Sequence, residues 1–280
     1  MPLAPPRTRR TGSMNRNCET PPARWRAVVL AASRGPDDPL ARHYGVDNKC
    51  LLKIAGKPML ARVVETLVSY GRFADICVVM EDKAVMTKAL GKTLAQKVNF
   101  LPSDKSAPAS LRRALDSMAA PGPVLVTTAD HVLLDHVMLD YFIEHSGKTN
   151  YDLTVGVARD ETILQACPDA SRTFLKFGRD KVSGCNLFAF KSDEARRALD
   201  VWQHVEQNRK KPVKLVKAFG LAPLIAYLTG TLTLEKAFRL ASRRIRARVR
   251  PVVMPFANAA IDVDKPRDKE LAEKILSARP

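Results

Sequence analysis

RAVVLAASRGPDDPLARHYGVDNKCLLKIAGKPML, residues 26 to 60, is the stretch from which the rest of the chain can be read. Ala27 to Ala32 is a continuous apolar run of strand length, which predicts a strand buried on both faces. It empties into a small, polar, basic loop that reaches Lys49, and a helix is expected from Pro58, a residue suited to a first helical turn. Small residues at a strand end let a ligand's phosphates approach the backbone, and Arg34 and Lys49 offset their charge. The stretch reads as a loop for a nucleoside triphosphate.

Further along, strand and helix patterns alternate. Met59 to Tyr70 places Leu60, Val63, Val64, Leu67 and Val68 on one helical face, and Ile76 to Met80 is a second buried strand. A helix over 83 to 90, a strand over 97 to 101, a helix over 108 to 119 and a strand over 123 to 128 follow. This order predicts a mostly parallel sheet with right-handed crossovers, in which ligands sit at the carboxyl ends of the strands. Both the 32 to 49 loop and Ala129-Asp130-His131 fall at such ends and are expected side by side.

From Tyr151 the pattern predicts a strand to Ala158, a short helix near Ile163, and strands over 173 to 177 and 182 to 190 joined by Gly178-Arg179-Asp180. Ser183-Gly184-Cys185-Asn186 puts small residues where a strand prefers bulk, as close approach by a ligand requires. Helices are expected at about 192 to 208, 213 to 229 and 233 to 242, then a strand from Ile245 to Val253 and a helix from Arg267 to Ser277. Ser242 to Arg250 alternates arginine with Ile245, Ala247 and Val249, the period of a strand with one cationic face.

A chain of 280 residues that is 46% hydrophobic can bury a large core. The expected organisation is a basic, disordered tail over 1 to 24, with Met14 an alternative start. One α/β domain follows over 25 to 280, with a helical basic insertion at about 191 to 243. No apolar run approaches the roughly 18 residues of a membrane span, and the N-terminus lacks an apolar signal region. The five cysteines are scattered without a CxxC pair, against a disulfide framework or zinc site and in keeping with a reducing cytoplasm. The net charge of +17 is concentrated: residues 201 to 250 hold twelve Lys/Arg against Glu206 and Glu235. Such a surface is either a solvated face or a contact for an anionic lipid surface, an acidic substrate or nucleic acid. Nucleic acid ranks last, because aromatics are only 6% and none interleaves with the arginine-rich run to stack bases.

Three motifs then resemble the MobA-like NTP transferases, nucleotidyltransferases of GT-A-type fold, over roughly residues 26 to 278. They are Leu30-Ala31-Ala32-Ser33-Arg34-Gly35 with Lys49-Cys50-Leu51-Leu52 and Gly56-Lys57-Pro58-Met59-Leu60, Thr128-Ala129-Asp130-His131, and Asp264-Lys265-Pro266-Arg267-Asp268. Ser33 replaces a loop glycine, Lys265 stands where threonine is common, and the loop before Lys49 is long. The resemblance implies a three-layer, mostly parallel α/β sheet of the Rossmann-related nucleotidyltransferase type. It implies nucleotide contacts from Leu30, Ala31, Ala32, Ser33, Gly35, Lys49 and Ala129, and phosphate charge offset by Lys49, Arg34 and Lys176. It also implies Mg²⁺ on Asp130 with Asp264 or Asp262, and an acceptor side at Ser183, Gly184 and Asn186.

The reaction so implied couples an NTP to a sugar, polyol or alcohol phosphate and releases pyrophosphate. The acceptor phosphate is already anionic, so charge neutralisation and in-line placement matter more than a general base. Magnesium asks for one or two carboxylates plus phosphate oxygens. Plainer roles exist for each residue: Asp130 as a cap, one of Asp262 and Asp264 as a turn residue, Lys49 and Arg34 as solvated charges, Lys176 as an outward strand lysine, Lys57 as part of a plain turn, and Ser183 to Asn186 as a strained bulge. His131 reads as structural, with no second histidine at ligand spacing. Competing readings of the whole chain are a molybdenum-cofactor guanylyl- or cytidylyltransferase, a GT-A glycosyltransferase, and a non-catalytic basic protein that binds membrane or nucleic acid on a decayed transferase fold. The basic segment points to peripheral association with an anionic membrane or a membrane-bound downstream transferase.

Overall fold

The computed structural model describes residues 24–33, 37–118, 122–148, 150–170, 172–208 and 221–279. Most of the expected N-terminal tail, Arg34, Gly35 and residues 209–220 of the expected basic insertion lie outside them. In chain order the strands are β1 (Trp25–Leu30), β2 (Lys53–Ile54), β3 (Lys57–Pro58), β4 (Phe73–Met80), β5 (Asn99–Pro102), β6 (Val124–Thr128), β7 (Leu153–Arg159), β8 (Leu175–Phe177), β9 (Asp180–Phe190) and β10 (Val249–Val253). The helices are α1 (Pro39–His43), α2 (Met59–Tyr70), α3 (Lys83–Ala95), α4 (Ala107–Ser117), α5 (His136–Gly147), α6 (Asp160–Ala166), α7 (Ala198–Asn208), α8 (Leu221–Leu228), α9 (Leu234–Ile245) and α10 (Pro266–Ser277).

The main sheet runs β10-β7-β9-β6-β1-β4-β5, with β8 paired to β9. β1 is central: Val28 faces Cys77 of β4 on one side and Val126 of β6 on the other, both parallel. Ala27, Val28 and Val29 are fully buried, as a strand covered on both faces by helices must be. β9 runs antiparallel between β6 and β7, so the sheet is mixed but mostly parallel. One buried cluster packs α2, α3 and α5 against it, including Leu60, Leu67, Met86 and Phe142. A second holds Val28, Leu111, Val126, Phe190 and Leu199.

Two expectations are corrected, and a third finding adds an element. Pro58 is the N-cap of α2, not its first residue, because Lys57 and Pro58 pair with Lys53 and Ile54 in a small antiparallel ribbon. Ser242 to Ile245 is helical, and the strand begins only at Val249. There α9 carries its amphipathic stripe to Ile245 and stops at Arg246, which adopts φ 57° and sends the chain back toward the sheet. The third concerns α5, which the sequence reading did not anticipate: it buries Met138, Leu139 and Phe142, while Val137 is 62% exposed and blurs the apolar stripe.

Candidate active site

At the carboxyl end of β1 and β6, Ala129 N–H donates to Leu30 O at 3.0 Å and Ala31 N–H donates to Val79 O at 2.8 Å. The expected nucleotide loop is therefore stitched into the sheet through its first residues, and these N–H groups are already used. Ser33 N–H donates to the carboxylate of Glu81 at 3.1 Å, and the other oxygen of Glu81 accepts from Asn48 Nδ2 at 2.6 Å. Asn48 in turn accepts from Cys50 N–H at 2.8 Å, capping the short 3₁₀ turn Lys49–Leu51. Cys50 Sγ donates to Ala31 O at 3.2 Å. Burial pushes that thiol up to about 12, so it stays protonated and acts as a donor. Two links, through Glu81 and through Cys50, thus fix where Lys49 starts.

Lys49 points back over the strand ends, 2.9 Å from Asp130 Oδ2 and 3.4 Å from Asp264 Oδ1. The Lys49 and Asp130 side chains are each 14% exposed, whereas that of Asp264 is 59% exposed. Burial opposes the ammonium, but Asp130 and Asp264 together outweigh it and raise the lysine above its ordinary value. Burial likewise works against the Asp130 carboxylate. Lys49 and the hydroxyl of Thr128, which donates to Asp130 Oδ1, overcome it and hold Asp130 below the usual range. Asp264 goes the other way: burial, with repulsion from Asp130 and Asp262, holds it above the usual range despite Lys49. The site therefore has more negative charge than one ammonium satisfies.

The late acidic motif is placed by its own hydrogen bonds. Pro266 opens α10, and Asp268 turns back to accept from Asp264 N–H at 3.2 Å and Lys265 N–H at 2.8 Å. Val263 N–H donates to Asp130 O at 3.1 Å, clamping the two loops together. On the other side of Val263, Asp262 is gripped through both oxygens by Arg172 and accepts from Asn186 Nδ2 at 3.0 Å.

Asn186 lies in a bulge of β9: from Gly184 to Phe188 this strand advances four residues while β7 advances two, from Val157 to Val155. Asn186 takes φ 48°, a left-handed conformation that asparagine tolerates. A side chain on Gly184 would meet nothing within 4 Å, so the surface over it is open. Ser183 is buried opposite Ala158.

The remaining candidates are placed as follows. Lys176 is exposed on β8 opposite Lys181 and makes none of the cluster's contacts. Lys57 pairs with Glu65 at 2.6 Å on the surface. His131 is buried, with Nδ1 against Thr127 Oγ1 at 3.2 Å, and burial lowers it to about 4, so its ring is neutral. Among the described residues no group of three or more His, Cys, Asp or Glu forms a ready-made metal cage, and no helix is long and apolar enough to cross a membrane. Asp130 and Asp264 nevertheless fit a divalent ion that takes its other ligands from phosphate and water, since they already converge on one cation and still repel each other.

Glu81, Arg172 and Trp202 were not anticipated. A cleft of about 160 Å³ runs from Lys49, Thr128 and Asp130 to an apolar end formed by Leu30, Val79, Ala107 and Trp202. Trp202 comes from α7, in the helical segment after β9, and stacks on Phe188 at 6.4 Å between ring centroids. Only the strand-end position of Glu81, directly after Met80, offered a signal in the sequence.

Residues 27–247 match the MobA-like NTP transferase domain. The chain belongs to this family. No curated protein matches it. Among solved structures, a hypothetical transferase from Thermus thermophilus is similar at 26% identity with a TM-score of 0.73, covering 88% of this chain and 99% of that one. A 4-diphosphocytidyl-2C-methyl-D-erythritol synthase from Anaerococcus prevotii shares the fold at 11% identity and a TM-score of 0.54, covering 91% and 99%. A CMP:2-keto-3-deoxy-manno-octonic acid synthetase complexed with CTP shares it at 16% identity and a TM-score of 0.53, covering 91% and 99%. Membership of the NTP transferase family makes the chain a nucleotidyltransferase by class.

Proposed function

We propose that this nucleotidyltransferase transfers a nucleotidyl group from an NTP to a phosphate oxygen of a small sugar, polyol or alcohol phosphate, with Mg²⁺. The observation that carries the reading is Lys49, held between Asp130 and Asp264 at the carboxyl ends of β1 and β6. The acceptor oxygen attacks the α-phosphorus, the bond from the α-phosphorus to the bridging oxygen breaks, and pyrophosphate leaves with that electron pair. No proton needs to be removed from the attacking oxygen.

When bound, a divalent ion would supply charge neutralisation to the phosphates. Asp130 and Asp264 are the residues that would hold it. Lys49, on a flexible side chain, would offset phosphate charge beside them. Trp202, Leu30 and Val79 offer the apolar walls a base requires. Gly184 and Asn186 present the acceptor side, and Asp262 positions Asn186 instead of ligating metal, because the Arg172 guanidinium holds both its oxygens and Lys49 pairs with Asp130 and Asp264 instead. Arg34 and Gly35, outside the described residues, remain part of this proposal on the sequence resemblance. Lys176 and Ser183 do not, since one stands exposed on β8 and the other is buried.

The test is pyrophosphate release with Mg²⁺ from CTP, GTP, UTP and ATP, each offered to a pool of sugar, polyol and alcohol phosphates. Two of the structural neighbours are named for cytidylyl compounds, which puts CTP first. Release with one NTP, absent in Asp130→Ala, supports the reading. No release from any NTP contradicts it.

The partner reading concerns α8 and α9. Ile225 and Leu228 are 51% and 73% exposed, beside an α9 that carries Lys236, Arg239, Arg243 and Arg244. Apolar tips and cations on consecutive helices suit an anionic membrane surface, where the nucleotide-activated product would be handed to a membrane-bound transferase. Salt-sensitive flotation with anionic vesicles is the expected result, and no association at low salt removes this part.

A further inference from the structure

At the opposite end of the sheet from Lys49, β1 begins with a buried cation. Arg26 is only 7% exposed, and four residues of strand, about 13 Å, separate it from Leu30 at the catalytic end. Its Nη2 donates to Gly122 O at 3.1 Å, while Nε and Nη1 are buried with no acceptor among the described residues. A buried guanidinium normally has its N–H groups satisfied, because leaving charge-bearing donors bare is costly.

Among the described residues no carboxylate pairs with it. Asp75 acts on Arg26 only from beyond ion-pair distance, and it accepts from Asn99 Nδ2 at 2.7 Å. Arg26 lines a cleft of about 380 Å³ whose other polar walls include Lys191, Ser192, Asp193 and Arg196. Lys191 donates to Ser146 O, and Arg196 reaches Asp116 at 2.7 Å and Asp193 at 3.2 Å. Arg196 and Lys191 thus already have partners, and the unmet donors facing the cleft are those of Arg26. Burial disfavours the charge on Arg26, and Arg196 disfavours it further. Only an anion would relieve both.

We propose that this cleft is a second binding site, distinct from the nucleotide cleft, for the oxyanion group of a small metabolite, phosphate or carboxylate, received by Nε and Nη1 of Arg26. The site is large enough for a small molecule and too far from Lys49 to belong to the reaction. Met118 and Phe190 line it as well and offer apolar contact to whatever carries the anion.

The test is calorimetric titration of the full-length protein with inorganic phosphate and, separately, with malonate, in low-salt buffer. Wild type, Arg26→Met, Met118→Glu and Lys49→Met are compared. Met118→Glu leaves Arg26 in place but supplies an internal carboxylate to the cleft, so it tests the site even where Arg26→Met fails to fold. Loss of at least about tenfold in affinity in both cleft variants, with binding retained in Lys49→Met, is expected for a charge-assisted contact. The tighter of the two anions assigns phosphate or carboxylate. Affinities within twofold of wild type in Met118→Glu, or no binding of either anion to wild type, overturn the proposal.

Discussion

The Lys49 ammonium stands 2.9 Å from Asp130 and 3.4 Å from Asp264, bridging two acidic groups 134 residues apart in sequence. One side of this bridge is buried and the other is half open to solvent. Removing the ammonium leaves two carboxylates facing each other. Lys49→Met is therefore expected to lose about 3 kcal/mol of stability in metal-free buffer. Mg²⁺ should raise the urea midpoint of this variant more than that of wild type. An equal response to Mg²⁺ in both proteins would show that the ion does not enter between the carboxylates.

Asp268 touches neither the nucleotide cleft nor Lys49, yet it holds the N–H groups of Asp264 and Lys265. Asp268→Ala removes these bonds at the start of α10. It is expected to cost about 1–2 kcal/mol, as loss of a helix cap does, and to lower turnover by freeing the Asp264 loop. Restored turnover at high Mg²⁺ would mark it as a positioning residue, and unchanged turnover would remove it from the site.

Asp262 and Asn186 are tied by one hydrogen bond of 3.0 Å. Asp262→Asn weakens the grip of Arg172 while leaving an oxygen for Asn186. The KM for the phosphorylated acceptor is expected to rise by about tenfold, as for a charge-assisted bond lost at one remove, with the KM for NTP nearly unchanged. A rise confined to NTP would place Asp262 with the metal instead.

Trp202 lines the apolar end of the cleft although it belongs to the helical segment after β9. Trp202→Ala is expected to raise the KM for NTP by about tenfold, the scale of one aromatic contact, with kcat little changed. Steady-state kinetics at saturating acceptor measure this.

Away from the site, Asp152 accepts from the backbone N–H and guanidinium of Arg248 and from Ser192. The Arg248 hydrogen bonds hold its carboxyl below the usual range, although burial works against them. A depressed carboxyl stabilises the fold above its unfolded value, near 3.8, and that contribution fades as pH falls below it toward the folded value. Asp152→Asn is expected to cost about 1–2 kcal/mol at neutral pH, and the gap to wild type should narrow below pH 3.8 in urea titrations.

The parallel core of the sheet and the meeting of Lys49 with Asp130 were legible, because apolar runs of strand length and polar strand ends are local signals. Arg172 and Glu81 were not, since each finds its partner 90 or 33 positions away and neither sits in a motif. Asp262 and Asp264 looked equivalent until Val263 was seen to turn them to opposite sides, one toward Arg172 and one toward Lys49. The arginine run from Ser242 misled because its alternation fits a strand, while tertiary packing extends α9 to Ile245 and leaves only Val249 onward to the sheet.

The most direct test of the account is pyrophosphate release measured against Mg²⁺ concentration in wild type, Asp130→Asn, Asp264→Asn and Asp262→Asn, with the NTP and acceptor found active. If Asp130 and Asp264 hold the metal, Asp130→Asn should be inactive at every Mg²⁺ concentration. Asp264→Asn should shift the Mg²⁺ dependence to higher concentration, and Asp262→Asn should keep the wild-type dependence. A Mg²⁺ curve displaced by Asp262→Asn and untouched by Asp264→Asn would contradict the account.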